Sequence, residues 1–133
     1  MRAQGLWLDK TIDEFLAEAI AATSDKPALV ACRADRASPR RFSYRELGDL
    51  TARAAAALRA MSVGPGNVVA VQLPNWWAFV VVSLAANRIG AVVNPLMPIL
   101  REREMGFMLG FARAWPMSSL STMTARMASS SAC

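Results

Sequence analysis

Histidine is absent from the 133 residues, and cysteine occurs only as Cys32 and Cys133. That inventory excludes a Cys/His metal centre and the disulfide framework of a small secreted domain. Without an imidazole to activate it, Cys32 in its apolar stretch is expected to be a small buried hydrophobe rather than a nucleophile. Lysine is nearly as scarce, limited to Lys10 and Lys26. No basic segment followed by an apolar one opens the chain, so a reducing, cytoplasmic setting is expected. The apolar run Trp76 to Ala86 is bounded by Asn75, Asn87 and Arg88. It falls well short of the roughly 20 residues that cross a bilayer, and no membrane span is expected.

What is present suffices for a core. Hydrophobic residues make up 54% of the chain and charged ones 19%, a balance that disordered chains do not reach. Fifteen cationic side chains against ten acidic ones give a net charge of +5. The arginines are dispersed, however, and the one concentration, Arg33, Arg36, Arg40 and Arg41, is interrupted by Asp35 and Pro39 and reads as a loop without interleaved aromatics. Nucleic acid is therefore not expected as a partner.

Two capping boxes punctuate the chain. Thr11 with Glu14, and Ser43 with Glu46, each place a hydroxyl at the N-cap and a carboxylate three residues on. The first predicts a helix over Thr11 to Ala22, with Ile12, Phe15, Leu16, Ala19 and Ile20 as its apolar stripe. The second predicts a longer helix carrying Leu47, Leu50, Ala54, Leu58 and Met61 on one face. Between them, Ala28 to Cys32 and an extended piece ending at Ser43 predict a hairpin. Gly64, Pro65 and Gly66 close the second helix, and Val68 to Leu73 reads as a buried strand stopped by Pro74. Asn75 is expected to cap a helix running to about Ile89, with Gly90 supplying its left-handed C-terminal residue. Ala91 to Asn94 reads as the next strand. Strand, helix, strand with tight turns is the crossover that builds a parallel sheet, so the fold class is α/β with flanking helices. A last helix is expected over Leu100 to Ala112, where Gly106 and Gly110 are expected to admit close packing.

The run Phe42, Ser43, Tyr44, Arg45, Glu46, Leu47 resembles the first core motif of the adenylate-forming ligase superfamily. Val63 to Leu73 with Gly64 and Gly66, then Pro74 and Asn75, then Leu84 to Pro95 with Ala85, Asn87, Gly90 and Ala91, resemble its second core region. The resemblance runs from about Gly5 to Ala114. Trp7, Thr11 to Glu14, Trp76, Trp77 and Asn94 to Glu104 look most like bacterial acyl-CoA synthetases acting on cyclic or aromatic acids.

The resemblance implies the N-terminal subdomain of a ligase that activates a carboxylic acid with ATP and magnesium and passes the acyl group to coenzyme A. It also implies parts that the sequence does not contain. The phosphate-cradling Gly- and Ser/Thr-rich loop ending in Lys has no counterpart, since Ser118 to Thr124 holds neither Gly nor Lys. The family's hinge and C-terminal domain are likewise missing. No catalytic, cofactor-binding or metal residue is therefore assigned, and the chain alone is expected to be inactive. Tyr44 and Glu46 read as helix start and cap. Adjacent Trp76 and Trp77 point about 100° apart, which predicts one in the core and one at its boundary.

Residues 1–114 read as the ligase fragment and 115–133 as a separate Ser- and Met-rich tail. That tail is either disordered or translated out of frame, since TCN serine codons shifted by one register become NTC and encode only Phe, Leu, Ile or Val. The competing reading is a stand-alone α/β interaction module without catalysis.

Overall fold

A computed structural model describes residues 9–32 and 39–112. Helix α1 (Ile12–Thr23) is followed by strands β1 (Pro27–Ala31) and β2 (Arg40–Ser43), helix α2 (Tyr44–Ala60), strand β3 (Val68–Val71), helix α3 (Trp77–Arg88), strand β4 (Val92–Pro95) and helix α4 (Glu102–Ala112). β1 and β2 pair antiparallel, while β3 and β4 pair parallel with Val68 opposite Val92. The α/β expectation holds, with a hairpin and one crossover unit as its sheet pieces. The expectations for Gly5, Trp7, Arg33, Arg36 and residues 113–133 lie outside the described residues.

Both capping boxes form. Thr11 and Ser43 each accept from the backbone N–H three residues on, and Glu14 and Glu46 each accept from the N-cap backbone N–H in return. A side-chain N-cap contributes about 1 kcal/mol, so these boxes fix where α1 and α2 begin. At the other end of α2, the N–H of Ser62 donates to Arg59 O at 2.8 Å and that of Val63 to Leu58 O at 3.0 Å. Ser62 carries the left-handed φ of 64° on which this closure depends, a position that the sequence reading had left to Gly64 and Gly66. Val63 and Leu58 are both buried, supplying the hydrophobic contact that accompanies such a closure.

The core lies between α2 and α3. Ala54 and Ala55 on one helix and Ala85 and Ala86 on the other are buried, small residues that let two helices approach closely. Leu58, Val63, Val69, Val71, Val81 and Val82 fill the space around them. β3 is covered on both faces, Val69 and Val71 joining this cluster and Ala70 joining a second one with Leu96 and Leu109. That double burial explains its unbroken apolar sequence. α1 packs on α2 where Gly48 leaves room, since a Cβ there would stand 2.6 Å from Ile20 Cδ1. Its other anchor is the Asp13 carboxylate, which accepts from Arg88 Nε at 2.6 Å.

Five expectations need correction. The apolar stripe of α1 is only partly covered, because α2 and α3 reach Leu16 and Ile20 but leave Ile12 and Phe15 in solvent. Cys32 is exposed, following the last residue of a hairpin strand whose other face meets water. Arg40 and Arg41 belong to β2 rather than to a loop. The N-cap of α3 is Trp76, without a side-chain cap bond, and not Asn75. The Trp76 N–H donates to Pro74 O at 2.6 Å, and that turn delays the helix by one residue. Among the described residues nothing outside α4's own backbone lies within 4 Å of a Cβ at Gly106 or Gly110, so the close packing expected there is not made with them.

The two boxes also make stability depend on acid. The Ser43 backbone N–H first, and then its hydroxyl, hold the Glu46 carboxylate below the usual range, and Thr11 does the same for Glu14. A depressed carboxylate contributes stability above its unfolded value of about 4.3, and that contribution is lost as pH falls through the lower folded value. Urea midpoints measured between pH 7 and 3 should therefore fall below about pH 4.3. In a Glu14→Gln/Glu46→Gln variant, whose amides still cap, the same curve should be flatter. Superimposable acid limbs would show that the carboxylates do not act this way.

Candidate functional site

β3 and β4 run parallel, so their C-terminal ends open on one side, where the chain leaves β3 for α3 and leaves β4 for α4. Parallel α/β sheets place ligand crevices at that edge. Here an open cleft of about 390 Å³ is lined by Leu73, Asn75, Phe79, Pro95, Leu96, Met97 and Pro98. Leu73 and Asn75 come from the β3–α3 turn, Phe79 from the first turn of α3, and Pro95 to Pro98 from the end of β4 and the segment beyond it.

The outer wall is held by main-chain and side-chain bonds. Leu96 N–H continues the parallel ladder to Val71 O at 2.9 Å. Gln72 Nε2 donates to Met97 O at 3.2 Å and Leu100 O at 2.9 Å, tying the segment after β4 to the end of β3. The cleft thus has fixed walls, six apolar side chains and a single polar one, Asn75. Such a surface can hold an apolar group by desolvation, and it contains no general acid, base or nucleophile.

Several of the titratable side chains are engaged elsewhere. Glu14 and Glu46 cap helices, Asp25 pairs with Arg45 at 3.3 Å, Lys10 pairs with Glu18, and Asp13 holds Arg88. Among the described residues no three His, Cys, Asp or Glu side chains come together as metal ligands.

Tyr44 is the first residue of α2 and packs half-buried against the core, while Glu46 is the cap. One tryptophan packs and the other is exposed, as expected, but not through helical spacing, because Trp76 is the extended N-cap and lies outside α3. Trp77 packs on the core with its ring 5.2 Å from that of Phe42, and Arg40 lies over both rings at 5.0 and 4.6 Å. Trp76 is exposed, and neither tryptophan lines the cleft. Asn75, read from the sequence as a cap, does line it. Phe79, Met97 and Pro98 were not singled out by the sequence reading, and the available signal was their position just beyond the ends of two parallel strands.

The pattern that defines AMP-binding enzymes matches residues 16–115, three quarters of the chain. The chain belongs to that family. Among its AMP-binding relatives, the salicyl-AMP ligase / salicyl-S-ArCP synthetase of Mycobacterium tuberculosis is 39% identical over 105 residues, covering 79% of this chain and 18% of the relative. The medium-chain fatty-acid–CoA ligase of Escherichia coli is 33% identical over 113 residues, covering 85% of this chain and 19% of the relative. The N-terminal subdomain of Klebsiella oxytoca NpsA, solved with anthranilyl-AMSN, superposes with a TM-score of 0.70 at 28% identity over 79% of this chain and 26% of that one. The chain thus spans about a fifth of the length of the curated relatives it matches.

The cleft does not fit the nucleotide of an AMP-binding enzyme. The cleft walls are apolar, acidic groups do not cluster, and of the two lysines Lys10 is already paired with Glu18. No chemical step through ATP or magnesium is derived from them. Among the described residues no helix is long and apolar enough to cross a membrane.

Proposed function

We propose that residues 1–114 are the amino-terminal structural layer of an acid–CoA ligase, one that joins a carboxylic acid to AMP and then passes the acyl group to the thiol of coenzyme A. The family match over residues 16–115 carries this reading. The curated relatives support it, being named for salicylate, for medium-chain fatty acids, for a substituted naphthoate and for 4-coumarate. ATP supplies the leaving group and CoA the acceptor in such a ligase. This chain's own contribution is a frame, in which α2 and α3 brace β3 and β4, and Gln72 fixes the segment leading to α4. No residue of the chain is assigned to catalysis, and the chain by itself is not expected to turn over. Residues 115–133 lie outside the ligase layer on this reading. The family match gives the stand-alone module no support.

A chimera tests the proposal. Residues 9–112 replace the aligned segment of the M. tuberculosis salicyl-AMP ligase, and salicylate-dependent exchange of pyrophosphate into ATP is followed. Exchange within about 100-fold of the parent is expected, the loss that an ångström-scale misfit imposes. The chain alone should give background. A folded chimera that gives only background sinks the reading.

A further inference from the structure

α1 and α2 begin on full capping boxes, and α4 does not. Arg101, the residue before it, donates its backbone N–H to Glu104 Oε2 at 3.2 Å but has no hydroxyl to give back to the first turn. A helix of 11 residues with Gly106 and Gly110 in its interior is marginal in water by itself. α4 therefore stays helical through what it touches, and that is little. Of its residues only Leu109 is buried, in a small cluster with Ala70 and Leu96 to which Leu100 and Met105 add partial cover.

The segment that joins β4 to α4 is held as sparingly. Met97, Pro98 and Ile99 are exposed and Leu100 is half-buried. Residues 97–100 form a turn, closed by the Leu100 N–H donating to Met97 O at 3.1 Å. Gln72, directly after the doubly covered β3, grips this turn at both ends. Its side-chain amide carries two N–H donors, and its nitrogen lies 3.2 Å from Met97 O and 2.9 Å from Leu100 O. Met97 and Pro98 are also the outer lining of the cleft, so the side chain that holds the turn holds that wall.

We propose that the turn at 97–100 and α4 together form a gate on the outer side of the cleft, latched shut by Gln72. When the latch lets go, the turn and the helix leave as one unit, Leu109 comes out of its cluster, and the side of the cleft made by Met97 and Pro98 opens to solvent. The core between α2 and α3 takes no part, since Leu109 and Met105 belong to the other cluster. Local openings are drawn from segments with few buried contacts, and α4 is such a segment. The gate does not depend on the ligase reading, because only Gln72 and residues 96–112 enter it.

Native-state hydrogen exchange of the full chain, resolved into peptic fragments, reads the gate. Amides of α4 are expected to exchange through an opening that low urea barely changes, while those of α2 exchange only with global unfolding. Leu58→Ala, in the core, should then lower protection in α2 and leave that in α4 as it was. Gln72→Glu keeps the length of the side chain and replaces its donor by a carboxylate that only accepts at neutral pH. It should speed exchange in α4 by about 10-fold or more, because two carbonyls lose their donors in the closed state alone. α4 amides that follow urea and Leu58→Ala as α2 does would show that the helix opens only with the whole molecule, and would overturn the gate. Unchanged α4 exchange in Gln72→Glu overturns it as well, since the latch would then survive the opening. Should the carboxylate prevent folding, Gln72→Met, of like length and without a donor, takes its place in the same comparison.

Discussion

Leu58→Ala is expected to lower the unfolding free energy by about 3 kcal/mol, within the range that emptied core leucine sites show. Leu58 is 1% exposed, among the largest of the fully buried side chains, and sits where α2 ends against the α3 layer. Its carbonyl is also the acceptor that closes the helix, and its side chain packs in the same cluster as Val63, Val81 and Ala85. Those neighbours sit on hydrogen-bonded elements, so the site relaxes only partly into the space. Domains of this size have about 5–15 kcal/mol in total, and the loss should move a urea midpoint visibly. Phe111→Ala is the control, since its side chain is in solvent and its removal should stay within about 0.5 kcal/mol. A Leu58→Ala shift no larger than that of Phe111→Ala would falsify the packing account.

The second large effect reverses sign between two glycines. Gly90 follows α3 with φ of 76°, its N–H donates to Asn87 O at 3.0 Å, and its carbonyl accepts from Gly66 at 2.9 Å. An alanine there meets the left-handed penalty of about 1–2 kcal/mol. Its Cβ would also stand 3.3 Å from Pro65 Cβ and 3.4 Å from Pro65 Cα, and Pro65 belongs to the turn that introduces β3. A total near 2 kcal/mol is expected, because a proline ring between two tied loops has little room to retreat. Gly106 is the opposite case. It lies inside α4 with open space where a Cβ would go, so Gly106→Ala should gain about 0.5–1 kcal/mol from helix propensity. Paired denaturation curves read both, and a loss at Gly106 comparable to that at Gly90 would show that α4 is crowded.

These two glycines also mark where the sequence could and could not be read. Gly90 was legible because the glycine follows an apolar helix and precedes a β-branched run, and only one backbone conformation joins them. The capping boxes were legible for the same reason, since hydroxyl and carboxylate three residues apart act locally. Ser62 was not, because its left-handed backbone is imposed by the burial of Val63 against Leu58, and serine carries no sign of that. Asn75 misled because its residue type suits a cap. A turn through Pro74 moved the cap to Trp76, whose side chain contributes nothing to it. Cys32 misled for a related reason, as apolar neighbours in a short strand do not reveal which sheet is left uncovered.

The cleft was least legible of all. Its lining joins residues 73–79 to residues 95–98, and only the parallel pairing of β3 with β4 brings them together. The family, by contrast, was legible from the motif at Phe42 to Leu47 and the region from Val63 to Pro95, because those segments are the turns and strand ends that make the fold.

The bond between Asp13 and Arg88 sets a schedule for synthesis. The two residues are 75 positions apart, so a ribosome adding about 5–20 residues per second delivers the arginine roughly 4–15 s after the carboxylate. Until α2 is made, α1 has its own capping box but no layer to lie on, and until α3 follows its seat is half built. The first helix made is therefore fully seated only when α3 is complete, and a chaperone that recognises short apolar helices has its opportunity in those seconds, before Arg88 arrives and the clasp shuts.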